Sequence, residues 1–128
     1  MTRFLPLAMI GFSLLSTVGC NGGAPTRTQA EMDRGKLAVN TVLEAWKKGE
    51  PTDKLKLGAD PITFSEDFRR THTLVEFTVG AATVPDPRTI QYAVVLKLKD
   101  KKGKLEDRDV MYLIELNNPI RVSRDPYN

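Results

Sequence analysis

In two runs of this chain, Ile90 to Leu98 and Val110 to Leu116, every second residue is a large apolar one. A repeat of two is the signature of a β-strand with one buried face. Slipping the pairing of two such strands by one residue would send a whole apolar set into water, so the register is fixed by the pattern. It opposes Ile90 to Ile114, Tyr92 to Tyr112 and Val94 to Val110. On the other face it opposes Lys97 to Asp107, and it leaves Lys101-Lys102-Gly103 as the turn. A three-residue hairpin loop wants its last residue in the left-handed region, and that residue is the glycine.

Ahead of this hairpin lies one helical signal, Gln29 to Lys48. Met32, Val39, Val42, Leu43 and Trp46 recur at helical spacing, with Gly35, Ala38 and Ala45 beside them. Thr28-Gln29-Ala30-Glu31 has the form of a capping box, and Gly49 followed by Pro51 is a stop signal. Leu37 falls among the polar residues and reads as a surface leucine. After the helix, Glu50 to Pro61 reads as a turn or short crossover that pins Leu55 or Leu57 to the core edge. Ile62 to Phe64 reads as a short strand, and Ser65 to Arg70 as a polar connection. Val75, Phe77 and Val79 are expected to face inward, Gly80 to Arg88 to form a loop, and Ile120 and Val122 to rejoin the apolar face. The fold class is therefore α+β, with one helix on a curved antiparallel sheet of four to five strands. This element order, with the helix ending Trp46-Lys47-Lys48-Gly49, resembles the cystatin and NTF2-like folds in which a curved sheet cradles a helix.

The first twenty residues have a different character. Arg3 precedes a run from Phe4 to Val18 broken only by Pro6, Gly11 and small polar residues, shorter than the roughly 20 residues a spanning helix needs. It reads as a signal-peptide core. Thr17-Val18-Gly19-Cys20 resembles the lipobox of bacterial lipoproteins, with Thr17 where that family usually has leucine. The resemblance implies cleavage before Cys20 and acylation of its thiol, and two or more acyl chains hold a membrane firmly. Asn21 to Arg27 is small, polar and glycine-rich, as a flexible tether is. The expected organisation is a leader over residues 1–19, a lipidated cysteine and tether over 20–28, a single domain over 29–124 and a loose tail over 125–128. The expected location is the bacterial cell envelope, anchored to a membrane and facing the periplasm or exterior.

Composition narrows the chemistry. The net charge is +3, and without Arg3 it rests on 18 basic against 16 acidic residues, too even a balance to point to nucleic acid. With Cys20 the only cysteine and His72 the only histidine, no His-rich or Cys-rich metal site can be assembled. Neither a G-x-S-x-G elbow, a phosphate-binding loop nor a dinucleotide fingerprint is present, so neither a catalytic group nor a cofactor is assigned. His72 reads as an exposed strand-edge residue, and Asp107 and Asp109 as partners for cross-strand ion pairs. Gln91-Tyr92-Ala93-Val94-Val95 lacks the glycine of the inhibitory cystatin Q-x-V-x-G pattern, so protease inhibition is not expected.

Three groups remain as candidate sites. Lys97, Lys99, Lys101, Lys102 and Lys104 gather near the hairpin tip, where they either attract an anionic surface or keep the hairpin soluble. Trp46, Tyr92 and Tyr112 supply the polar handles of an apolar inner face, and would line a pocket if the domain bound a small ligand as NTF2-like proteins do. Ala93, Val95, Met111 and Leu113 come together on the second face of the sheet. That face is either a contact surface, for a second copy or another envelope protein, or is covered by the Glu50 to Pro61 crossover.

Overall fold

The computed structural model describes residues 27–127. The leader, the Cys20 acylation site and most of the tether lie outside them.

Helix α1 spans Gln29–Lys48. Its capping box is complete: the Thr28 hydroxyl accepts the Glu31 N–H, and the Glu31 carboxylate accepts the Thr28 N–H, each at 3.1 Å. That backbone N–H and the Arg27 guanidinium, 2.7 Å away, hold the Glu31 carboxyl below its ordinary range. At the other end Gly49 takes φ +73°. Its N–H reaches the Trp46 carbonyl at 3.0 Å and that of Glu50 the Ala45 carbonyl at 2.8 Å, so two carbonyls the helix leaves unpaired are satisfied. Leu37 is 55% exposed on the solvent side.

Six strands follow: β1 (Lys56–Leu57), β2 (Asp60–Ser65), β3 (His72–Asp86), β4 (Thr89–Asp100), β5 (Leu105–Glu115) and β6 (Ile120–Arg124). They form one sheet in the order β1-β2-β6-β5-β4-β3, curled into a half-barrel against which α1 packs. The inner face is the core. Val39, Val42, Leu43 and Trp46 of α1 are buried with Ile90, Tyr92, Val94, Leu96 and Leu98 of β4 and Val110, Tyr112 and Ile114 of β5. Side chains of this size are worth about 1.5–3 kcal/mol each when removed from water, which is why the inner face dictates the register. The β4–β5 pairing is the one the alternation requires, including Ile90 with Ile114, Tyr92 with Tyr112 and Lys97 with Asp107. Gly103 closes its three-residue turn at φ +86°. Ile120 and Val122 of β6 are buried on the same face.

Several expectations are corrected. The sheet has six strands rather than four or five and is mixed, because β6 lies parallel to β2, with Ile62 beside Ile120 and Phe64 beside Val122. Alternation dictates which face a side chain takes and not which strand stands next to it, so this pairing has no local signal. In β3, Leu74 is buried and Val75 is exposed, the reverse of the expected parity. The pairing jumps from Leu74–Leu98 to Glu76–Lys97, so Val75 is the extra residue of a bulge that resets the alternation. Gly80 to Arg88 is not a loop: β3 runs on to Asp86 through two more irregularities. It is an edge strand, where a bulge can hold Pro85 without loss of a ladder hydrogen bond. Bulges strengthen local twist, which accounts for the curl on this side of the sheet. The C-terminal segment is not loose at its start, since the Asp125 N–H donates to the Met111 carbonyl at 2.8 Å and Gln91 donates to its carboxylate at 3.2 Å.

Candidate functional site

The outer face of the sheet carries the first candidate. Because β4 and β5 pair in the expected register, Ala93 stands opposite Met111 and Gln91 opposite Leu113. Ala93, Met111 and Leu113 are half-buried and Val95 is 45% exposed. A trough of about 520 Å³ opens there, lined by Thr78 and Gly80 of β3, Ala93 and Val95 of β4, and Asp109 and Met111 of β5. Its depth follows from the residue types. Gly80 and Ala93 are small and meet at the floor, where a β-carbon on Gly80 would lie 3.2 Å from the Ala93 carbonyl, while Val95 and Met111 are larger. Leu113 lies one pair further along and is not part of the trough lining. The Glu50 to Pro61 crossover does not cover this face. It ends in the β1–β2 hairpin at the opposite edge of the sheet from β3, where Leu55 and Leu57 pack against the core.

The inner aromatic group is arranged differently. Trp46, Tyr92 and Tyr112 are at most 6% exposed. The Trp46 indole N–H donates to the His72 carbonyl at 3.3 Å, the Tyr92 hydroxyl donates to the Met32 carbonyl, and the Tyr112 hydroxyl donates to Glu66 at 2.6 Å. Every handle expected to greet a ligand is thus taken up inside the protein. Burial, with Asp33 nearby, raises the Tyr92 hydroxyl above its ordinary range. Burial and then the Glu66 charge push that of Tyr112 far higher. Neither ionises near neutral pH, and both act as neutral donors.

Glu66, expected as part of a polar connection, is instead at the centre of a buried network. Its side chain is fully buried. One oxygen accepts Nε of Arg124 at 2.9 Å and the Phe68 N–H at 3.0 Å, and the other accepts the Tyr112 hydroxyl. The Phe68 N–H contact caps a short 3-10 turn, Asp67–Arg70. Arg124 lies 4.2 Å from the centre of the Phe68 ring. A buried carboxylate needs this many donors, because stripping its water without replacement costs several kcal/mol. The only local signal was an acidic residue directly before an apolar-containing turn, and its two side-chain partners are contributed from β5 and β6.

The hairpin lysines Lys97, Lys99, Lys101, Lys102 and Lys104 are all exposed. Lys97 stands opposite Asp107 yet forms no ion pair with it among the described residues. Glu76, beside Lys97 in the β3–β4 register, is instead paired with Lys47 of α1 at 3.1 Å. Asp100 organises the turn. Its carboxylate accepts the N–H of Lys104 at 2.9 Å and of Lys102 at 2.8 Å, and these hold it below its ordinary range. His72 is not a free edge residue. It is half-buried, with one ring nitrogen 2.7 Å from the Thr71 hydroxyl, the other 3.0 Å from Glu106, and the Phe68 ring edge-on.

The chain matches no known family. Nor does it match any curated protein or solved structure. What its surfaces do must therefore be read from their own geometry.

Proposed function

We propose that this chain is a lipid-anchored, non-catalytic binding module of the bacterial cell envelope, facing the periplasm or exterior, and that the outer sheet face is its contact surface. The observation that carries the reading is the contrast between the two faces. The inner aromatics spend their polar groups inside the protein, while the outer apolar trough lies open with no described residue over it. The lipobox resemblance at Cys20 supports the anchor, and one helix held against a curled sheet supports a cystatin- or NTF2-like element order.

The partner we assign to this face is a second copy of the chain. Around the apolar centre, β4 presents Lys97 and Lys99, and the neighbouring β5 presents Asp107 and Asp109. A two-fold contact requires one patch to complement itself. Adjacent basic and acidic rows do so when one copy is turned over onto the other, with Val95 and Met111 at the dry centre. The full chain in non-ionic detergent is expected to sediment as a dimer, and Val95→Glu or Met111→Glu as a monomer with its unfolding midpoint unchanged. A monomeric wild-type chain, or a Glu variant that loses stability instead of association, would overturn the assignment. Mass spectrometry is expected to find the mature N-terminus at an acylated Cys20, and an unmodified thiol there would remove the anchor.

A further inference from the structure

We infer that the far end of the sheet holds a binding site for a phosphate group. The 3-10 turn Asp67–Arg70 packs beside the ends of β3 and β4, bringing two arginines that sequence reading left in a connection next to two of the hairpin lysines. Between them is a cleft of about 170 Å³ lined by Arg69, Arg70, Lys99 and Lys101, with Thr71 and Thr73 contributing hydroxyl-bearing side chains. It shares no residue with the outer trough lining, and Lys99 is its one residue that also belongs to the basic row of the dimer contact.

The charges in the cleft are unbalanced. None of these four cations forms an ion pair among the described residues. Arg69 lies 5.3 Å from the centre of the Phe64 ring, on the side of an adjoining cleft, so the charge of this one rests mainly on Arg70, Lys99 and Lys101. Asp100 is the one carboxylate in the lining, and it is already engaged by the Lys102 and Lys104 N–H groups. Of the acidic residues nearby, Glu106 is committed to His72 and Arg108 and Glu66 to Arg124, while Asp67, in the same turn as the arginines, lines an adjoining cleft with them and forms no ion pair among the described residues. Gathering four like charges at one place disfavours the fold unless a counter-charge joins them. The size selects the ligand. The cleft is well below the roughly 300 Å³ at which drug-sized pockets begin, so it suits one small, highly charged group. The Arg70 guanidinium fork and the two ammonium groups match a tetrahedral phosphate oxyanion better than a carboxylate.

Two sources supply a phosphate group, free phosphate, which carries up to two charges near neutral pH, and the singly charged phosphodiester of a lipid head group. The cleft lies at the opposite end of β4 from the β3–β4 turn, where Arg27 donates to the Pro87 carbonyl at 2.6 Å. The eleven steps between its twelve residues, at about 3.3 Å each, put the two ends at most about 36 Å apart.

The test is a titration of the full chain in detergent, followed by amide NMR, with inorganic phosphate in one arm and glycerophosphoglycerol, a soluble diester head group, in the other. Saturable shifts at Arg70, Thr73 and Lys99 are expected in at least one arm, and the tighter arm names the source. Arg70→Ala with Lys101→Ala, which leaves the dimer row intact, is expected to weaken that binding by about tenfold or more, as loss of charge-assisted contacts does. Lys102→Ala with Lys104→Ala removes the same charge outside the cleft and is expected to change it by less than about threefold. Equal losses in the two double variants would show diffuse attraction and overturn the site, as would the absence of saturable shifts in both arms.

Discussion

Replacing Glu66 by alanine is expected to destabilise the domain by about 3–5 kcal/mol, the range for removing one partner of a buried ion pair. The substitution leaves Arg124 without its carboxylate and deprives the Tyr112 hydroxyl and the Phe68 N–H of their acceptor, all at one place beneath the core. A domain of this size is stable by only about 5–15 kcal/mol, so the variant is expected to unfold at a far lower denaturant concentration. Tyr112→Phe separates the contributions. It keeps the ring against Phe64 and the Glu66–Arg124 pair, and removes only a hydrogen bond to a charged group, worth about 1.5–3 kcal/mol. Equilibrium unfolding in urea reads both values. A Glu66→Ala domain within about 1 kcal/mol of the parent would show that the network contributes little net stability.

The second large effect is expected at Gly35, and it has the opposite sign from helix propensity. In an exposed helix interior, replacing glycine by alanine gains about 1 kcal/mol. Here α1 presses on the sheet: a β-carbon at position 35 would lie 2.9 Å from the Tyr92 hydroxyl, 3.2 Å from its ring and 3.3 Å from Ile90. Overpacking a filled core costs about 1–3 kcal/mol, and the hydroxyl that must move is the one bonded to the Met32 carbonyl, worth about 1 kcal/mol more. The clash outweighs the propensity, so Gly35→Ala is expected to lose about 1–3 kcal/mol. In a Tyr92→Phe background the nearest contact is gone, and the same change is expected to cost clearly less. A Gly35→Ala domain as stable as the parent, or equal costs in both backgrounds, would mean the helix has room to lift.

The two residues also show where the sequence was legible. Most of what depends on neighbours along the chain could be read from it, the bulged stretch from Leu74 to Arg88 excepted. The capping box of Thr28 and Glu31, the Gly49 stop, the turn at Gly103 and the whole β4–β5 register are local patterns with one stable solution each. The outer patch was legible for the same reason, since register alone brings Ala93 and Met111 together. What could not be read is contact between distant segments. Nothing in Ile62 to Phe64 marks it as the parallel neighbour of β6. Nothing in Glu66 alone foretells burial, because its donors come from Phe68, Tyr112 and Arg124. A bulge defeats parity outright, as Leu74 and Val75 show. The phosphate cleft joins Arg69 and Arg70 to the hairpin lysines in the same nonlocal way.

The most direct test of the contact surface is the distance between two outer faces. Cys20 is the only native cysteine, and its thiol is consumed in the proposed anchored form, so a spin label at Val95→Cys stands alone. Sheets that meet face to face pack about 10 Å apart, which puts two such labels within reach of dipolar coupling. A short, well-defined distance is expected between labels at Val95, and a longer one between labels at Leu37→Cys on the solvent side of α1. Absence of coupling at Val95, or a shorter distance at Leu37, would contradict the face-to-face contact.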